Sequence, residues 1–170
     1  MANWSGLMLV AGLYCRGDDV LLVRERDPEG NMKWGLPGGR VEGPELLPVA
    51  LTREFREETG LAILKVGRLR LLSQHHQEGR PGTAALHVFD VLDAEGELAP
   101  QDPDGLIEEA RFVGRREATD LVNRGQFAPA EAPIAHLLLA GPQDLRTPAW
   151  FWELSEDSTA PVVHLDGSTA

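Results

Sequence analysis

The chain has 170 residues, of which 42% are hydrophobic and 25% are charged, a composition typical of one globular domain with a buried core. Its formal net charge of -11 argues against a nucleic-acid backbone as the main partner, because 27 acidic side chains repel a polyanion. The single cysteine, Cys15, rules out an internal disulfide framework and fits a small buried or half-buried side chain in a reducing compartment.

The first predicted element is a β-strand over Leu7–Arg16. Its apolar run LMLVAGLYC has the length of a signal-peptide apolar region. However, no Lys or Arg precedes the run, the charged RGDD follows it, and it is too short to span a bilayer. We therefore interpret the segment as the first strand of a cytoplasmic protein without a membrane partner.

A strand, an extended segment and a helix follow the turn at RGDD. The second strand is predicted over Val20–Glu25, and KWGLPGG predicts a short extended piece broken by Pro37. A helix is predicted over Glu45–Thr59, with Gly60 as its C-terminal cap and Pro48 in its first turn.

Strands and a loop are predicted after this helix. The strands cover Ala62–Ser73 and Ala84–Val91, with the loop HHQEGRPG between them, and Asp93–Gly105 is an acidic loop rich in Pro and Gly. EEARFVGRREATDLV predicts a short strand and a short helix, and AEAPIAHLLLAG predicts a longer helix. This order indicates the α/β class, with helices packed on a mixed sheet.

The C-terminal region contains an aromatic cluster and a polar tail. Ala149–Leu154, AWFWEL, is expected to cover the core; an exposed position would instead suggest a homodimer contact. Residues 155–170 contain few core-forming side chains, so we predict a poorly ordered tail after a domain of residues 1–154.

The predicted acidic helix carries glutamates beside an apolar stripe. The stripe recurs every four residues, at Leu47, Leu51 and Phe55. At 3.6 residues per turn, three glutamates share the adjacent face: Glu54, Glu57 and Glu58. Runs of charge on helices are usually solvated faces, and Arg53 and Arg56 offer partners. Because like charges four residues apart repel each other, we hypothesise instead that Mg²⁺ or Mn²⁺ lies among these carboxylates.

Glycines and an arginine complete this pattern. GLPGGR allows the backbone at Gly38 and Gly39 to approach a ligand or ion closely, although two glycines alone indicate only a turn. Arg53 stands next to Glu54, where a guanidinium can orient a carboxylate and lower its pKa.

The spacing of these residues resembles the Nudix box. From Gly39 the chain reads Gly, five residues, Glu45, seven residues, Arg53-Glu54, an apolar residue, one residue, Glu57-Glu58, one residue, Gly60 and the apolar Leu61. Every fixed position of the box is filled. WGLPGG before the box and EEARFV after it also resemble the usual Nudix surroundings.

The resemblance implies an α/β/α sandwich and the hydrolysis of a nucleoside diphosphate linked to another moiety, with Mg²⁺ or Mn²⁺. By matching position, the metal ligands would be the carbonyl of Gly38 and three carboxylates: Glu54, Glu57 and Glu58. Arg53 would orient Glu54, and the structural residues of the motif would be Gly39, Glu45 and Gly60. The general base would be Glu54 or an acid outside the box. Glu108 and Glu109 are weak candidates, because Leu106 replaces the residue usual in that segment.

Three residues outside the box are candidates for substrate contacts. Trp34 would stack on a base or pack in the core, and packing is favoured. Arg24 and Arg26 end the second strand near the box, where they would reach phosphates or lie on the surface. His75 and His76 lack metal-ligand spacing.

The sequence contains none of the markers that would select one substrate class. The proline typical of ADP-ribose members is absent after the box, where the chain reads SQHHQEG, and the only tyrosine is Tyr14 rather than the one typical of diadenosine-polyphosphate members. Elimination places nucleoside triphosphates, including damaged ones, slightly ahead of ADP-ribose, nucleotide sugars and dinucleoside polyphosphates. The alternative is a non-catalytic Nudix-fold regulator, which has little reason to keep three like-charged glutamates beside Arg53.

Overall fold

The described residues, 6–27, 30–125, 127–155 and 161–166 of this computed structural model, form nine strands and three helices. The strands are β1 (Leu7–Arg16), β2 (Asp19–Arg26), β3 (Met32–Gly35), β4 (Gly38–Arg40), β5 (Ala62–Gln77), β6 (Thr83–Glu95), β7 (Ile107–Gly114), β8 (Ala149–Leu154) and β9 (Pro161–Leu165). The helices are α1 (Leu47–Thr59), α2 (Arg115–Val122) and α3 (Ala128–Ala140).

The strands form one mixed sheet in the order β3-β2-β1-β6-β5-β8-β9, while β4 pairs with β1 and β7 pairs with β2. The β1–β6 and β5–β8 pairs are parallel, and the other pairs are antiparallel. Because a sheet with two apolar faces needs cover on both, helices pack on each side of it. The predicted α/β class with a mixed sheet is confirmed.

Alternation along β1 separates the two cores. Ala11 and Leu13 face the cluster that contains α2 and α3, whereas Val10 contacts the cluster formed with α1. This period of two is the normal consequence of strand geometry and explains why β1 is almost continuously apolar.

Helix α1 is held on the sheet by the predicted stripe. Leu51 and Phe55 are fully buried, and Leu47 packs partly buried at the edge of the same core. The helix begins at Leu47, two residues later than predicted, with Pro48 in its first turn. It ends where Gly60 adopts a left-handed conformation (φ 80°) and its N–H donates to the carbonyl of Arg56 at 2.8 Å.

The loop after β6 is fastened to the end of α1. The N–H of Ala99 donates to the carbonyl of Thr59 (3.0 Å), and the N–H of Gln101 donates to the carbonyl of Glu57 (2.8 Å). These bonds satisfy carbonyls that the helix end leaves free, and they bring the acidic loop next to the glutamates of α1.

Two strands extend further than the sequence predicted. β5 continues through His75 and His76 to Gln77, and β6 begins at Thr83 and continues to Glu95. The backbone of β5 is paired on both sides, with β6 and β8, so its polar residues stay in the sheet despite their low strand propensity.

The C-terminal segment also differs from the prediction. Pro161–Leu165 forms β9, which pairs with β8, where the sequence predicted a poorly ordered tail. The free edge of β8 offers backbone partners that the low apolar content of the tail does not reveal. Residues 156–160 and 167–170 lie outside the described residues. In β8, Trp152 is buried and its indole N–H donates to Ser73 Oγ at 3.0 Å, as expected of a segment that covers the core.

Among the described residues, no helix is long and apolar enough to cross a membrane.

Replacing Gly60 by alanine is predicted to destabilise the protein by at least about 1 kcal/mol more than the same change at Gly79. Both glycines have similar positive φ angles, 80° and 77°. A Cβ at Gly60 would lie 2.7 Å from the carbonyl oxygens of Glu97 and Ala99, whereas a Cβ at Gly79 would have no neighbour within 4 Å. Urea unfolding of the two variants measures the difference, and equal losses would show that the loop does not pack on the helix end.

Candidate active site

The guanidinium of Arg53 is the centre of the acidic face of α1. Its Nη1 donates to Glu54 Oε1 at 2.9 Å and to Glu57 Oε2 at 3.3 Å, and its Nη2 donates to the carbonyl of Arg40 at 3.0 Å. One cation therefore separates two carboxylates that would otherwise repel each other along the helix.

The same guanidinium ties the preceding loop to the helix. Arg53 Nε and Nη2 donate to the two carboxylate oxygens of Glu45 at 3.0 and 2.9 Å, a bidentate arrangement. These bonds, followed by a backbone N–H bond from Glu42, lower the pKa of Glu45 to about 2. Glu45 thus contacts both the loop and the helix, in the position that the sequence predicted for a structural residue.

Glycine is required where the loop backbone meets the helix carboxylates. A Cβ at Gly39 would lie 2.6–2.7 Å from the carboxyl group of Glu54, and a Cβ at Gly38 would lie 2.1 Å from the carbonyl oxygen of Val10. Both glycines belong to β4, which pairs with β1. The missing side chains allow the backbone of β4 to pass directly beside Glu54.

Glu58 is the most buried member of the acidic face, with 8% of its surface exposed. Its Oε2 accepts a hydrogen bond of 2.7 Å from the N–H of Gly38. Burial raises the pKa of Glu58 to about 9, because the bond from Gly38 only partly offsets desolvation and the nearby acids Glu25, Glu54 and Asp102 act in the same direction as burial. Burial also raises the pKa of Glu54, against the opposing effect of Arg53.

The donor set at this position fits a hard divalent cation. The ligands predicted from the sequence are all oxygen atoms, namely three carboxylates and one backbone carbonyl. A cation beside Glu58 would also lower its pKa, against the burial and the nearby acids that raise it. Within the described ranges, no three His, Cys, Asp or Glu side chains converge on one point as a finished metal site. Arg53 Nη1 lies between Glu54 and Glu57 and holds both carboxylates on one face of α1.

A cleft of about 320 Å³ opens beside Glu58, Gly38 and Gly39. Its lining includes the strand residues Leu9, Ala11, Trp34 and Leu86 and, between β3 and β4, Leu36, and Phe127, Ala130 and Ile134 line it at α3. The lining therefore combines four charged side chains, those of Glu25, Lys33, Glu58 and Glu131, with mostly apolar ones that include two large aromatic rings. This combination suits a ligand that carries charge at one end and an apolar ring at the other.

The candidate substrate-binding residues divide into two groups in the structure. Trp34 packs against the core, as favoured from the sequence, and it also lines the cleft; its stacking on a base stays a prediction. Arg24 and Arg26 are absent from the lining of the cleft. Both arginines pair with Glu108, and Arg24 also pairs with Glu109 at 3.6 Å. These ion pairs also occupy the two acids that the sequence offered as weak candidates for the general base.

Residues that the sequence reasoning missed lie around Glu58. Asp102, in the loop fastened to α1, is close enough for its charge to raise the pKa of Glu58. Its own oxygens accept N–H bonds from Asp104, Leu106 and Ile107, which shape the loop. Glu25 and Lys33, paired at 3.3 Å, line the cleft. Asp102-Pro103 in an acidic loop was the sequence signal available for Asp102. Glu25 and Lys33 had no such signal, because the β2–β3 pairing brings them together.

The histidines of β5 lie apart from this site. His75 contacts the ring of Phe127, with 5.0 Å between centroids, and His76 pairs with Glu153 at 2.9 Å.

Comparison with known proteins identifies a domain that spans most of the chain. The NUDIX domain family model matches residues 6–138. A Mycobacterium tuberculosis protein provisionally named 8-oxo-dGTP diphosphatase 2 is 46% identical over 57 residues, which are 33% of this chain and only 40% of that protein. The CTP pyrophosphohydrolase of Escherichia coli K12 is 28% identical over 125 residues, or 72% of this chain and 84% of that protein.

A solved structure has the same fold. The MutT protein from Bacillus halodurans superposes with a TM-score of 0.68 at 22% identity, over 94% of this chain and 96% of that chain. At this identity the likeness concerns the fold alone.

The stability of the metal-free protein is predicted to fall as the pH rises from about 5 to about 8, by a few kcal/mol, because of Glu58. Burial raises the pKa of Glu58 to about 9 in the folded state, whereas the unfolded chain ionises near the ordinary value. Folding therefore takes up a proton in this window, and the contribution is lost as the pH rises. Urea unfolding in EDTA measures it, and Glu58→Gln should flatten the pH dependence. The same slope in both proteins would assign it to other groups.

Proposed function

This chain belongs to the Nudix family, and from that premise we propose that it is a metal-dependent pyrophosphohydrolase that acts on nucleoside diphosphates linked to a further group. The observation that carries the proposal is the guanidinium of Arg53, which contacts Glu45, Glu54 and Glu57 beside the buried Glu58. A solvated helix face has no need for a bidentate arginine or for a buried carboxyl.

The metal-binding residues in this proposal are Glu54, Glu57, Glu58 and the carbonyl of Gly38. When bound, Mg²⁺ or Mn²⁺ would neutralise the phosphate oxygens and lower the pKa of a water molecule. Arg53 holds Glu54 and Glu57 on one face of α1 through its Nη1, which limits the conformations that these carboxylates can adopt when charge enters the site. Glu45 acts indirectly, because its carboxylate fixes the guanidinium of Arg53.

Glu54 is the proposed general base. A carboxylate is a more effective base when its pKa lies nearer to the working pH, and burial raises the pKa of Glu54. Gly39 supports this role, since its missing Cβ leaves the space that the carboxyl group occupies. By contrast, the oxygens of Glu108 pair with Arg24 and Arg26, which keeps this acid occupied away from the cleft.

Nucleoside triphosphates, including oxidised ones, are the proposed substrates. The M. tuberculosis and E. coli relatives are named for 8-oxo-dGTP and CTP, which share a triphosphate and an aromatic base. The lining of the cleft supports these two parts, because it includes Glu58 of the acidic face and the aromatic rings of Trp34 and Phe127. ADP-ribose, nucleotide sugars and dinucleoside polyphosphates contain the same diphosphate and belong in the test.

A phosphate-release and pyrophosphate-release screen of these four substrate classes, with Mg²⁺ and with Mn²⁺, tests the proposal. We expect turnover of at least one nucleoside triphosphate, none in EDTA, and a loss of at least about 100-fold in kcat for Glu58→Gln. The matched control is Glu78→Gln, an exposed acid between β5 and β6, which should keep wild-type turnover. Near-normal turnover by Glu58→Gln would overturn the site, and no turnover of any class would favour the non-catalytic regulator.

A further inference from the structure

The indole of Trp34 has two guanidinium groups over its ring in addition to its contact with the cleft. The Cζ atom of Arg111 is 4.7 Å from the ring centroid, and that of Arg24 is 5.8 Å from it. Neither arginine lines the cleft, so both contact Trp34 from outside. Cations this close to an indole are attracted by the negative face of the ring.

Neighbouring strands hold these arginines in place. Arg24 is the register partner of Trp34 on β3 and of Glu109 on β7, so the three side chains are adjacent across the sheet. Glu109 lies between the two cations, 3.6 Å from Arg24 Nη2 and 3.5 Å from Arg111 Nε. Glu117 of α2 adds a contact of 3.4 Å to Arg111 Nη2. We name Trp34, Arg24, Glu109 and Arg111 the Trp34 cluster.

The Trp34 cluster contains more charge than a surface ion pair requires. Two like charges next to one ring repel each other, and exposed pairs of this kind add little stability by themselves. The carboxylate of Glu109 offsets the repulsion, and the indole contacts both the two arginines and the cleft. A ring fixed before binding loses little conformational freedom when a ligand stacks on it, which strengthens stacking.

We propose that Arg111 and Arg24 are positioning residues, which hold Trp34 as a preset stacking surface for an aromatic base in the cleft. This inference rests on the proposed function and narrows it, because the group beyond the phosphates is then a nucleobase rather than a sugar alone. It also gives Arg24 a role different from the phosphate contact that the sequence suggested.

The test compares binding and turnover in four variants, each checked by thermal unfolding. Arg111→Met removes the charge and keeps much of the volume, Arg111→Lys keeps the charge and removes the planar group, and Trp34→Leu removes the ring. Arg116→Met is the matched control, since Arg116 is an exposed arginine of α2. The probes are guanosine and cytidine 5′-monophosphate, with ribose 5-phosphate as the ligand without a base, titrated by calorimetry.

We expect Arg111→Met to weaken binding of at least one nucleotide roughly two- to tenfold. The KM of the corresponding triphosphate should rise by a similar factor, with kcat unchanged, because the arginine does not touch the reacting phosphates. Trp34→Leu should have a larger effect, Arg111→Lys a smaller one, and Arg116→Met none. Binding of ribose 5-phosphate should be the same in all variants. If Arg111→Met fails to fold, Arg111→Lys with a measurable nucleotide-specific loss supports the inference.

Several outcomes would overturn it. These are equal nucleotide affinities in Arg111→Met and Arg116→Met, an equal loss for ribose 5-phosphate, and no binding of either nucleotide by the wild type. If Trp34→Leu has the kcat and KM of the wild type, the inference is wrong and the hydrolase proposal is unaffected. Binding that depends on Trp34 without turnover of any of the four substrate classes supports the inference and removes the hydrolase proposal.

Discussion

The contact on which the site depends is the guanidinium of Arg53 among carboxylates of the loop and the helix. Its bidentate bond to Glu45 fixes the loop, and its Nη1 bridges Glu54 and Glu57. Without that cation, repulsion between acids on neighbouring turns would separate these side chains. The planar group of arginine offers donors in several directions at once, which a lysine cannot reproduce.

The core supplies the rigid base that this contact requires. Burial of Leu51 and Phe55 contributes about 1.5–3 kcal/mol for each side chain and fixes the rotation of α1 on the sheet. That rotation places Glu58 inside, against the N–H of Gly38, at a cost in desolvation that appears as its raised pKa. The apolar stripe and the buried acid are therefore two results of one packing arrangement, in which a cation would relieve the remaining electrostatic cost.

The acidic helix was predictable from sequence because its determinants are local. The stripe, Pro48 and Gly60 lie within one helix and specify its period and its ends. By contrast, the environment of Arg24 depends on the register of β2 with β3 and with β7, which is distant in the sequence, so its position beside Trp34 and Glu109 was not predicted. Strand β9 was missed for the same reason, since the edge of β8 creates its pairing. The metal ligands and the general base stay predictions, because their roles depend on a metal ion and a substrate bound to the protein.

Binding of Mn²⁺ without substrate tests the central role of Arg53 most directly. Electron paramagnetic resonance of free Mn²⁺ can follow titration of the wild type, Arg53→Gln and Arg56→Gln. Arg56 lies on the same helix and is exposed, which makes it the matched control. If Arg53 organises the site, the wild type and Arg56→Gln will bind Mn²⁺ with the same affinity. Arg53→Gln will bind it at least about tenfold more weakly. Equal affinity in all three proteins, or no binding by the wild type, would contradict it.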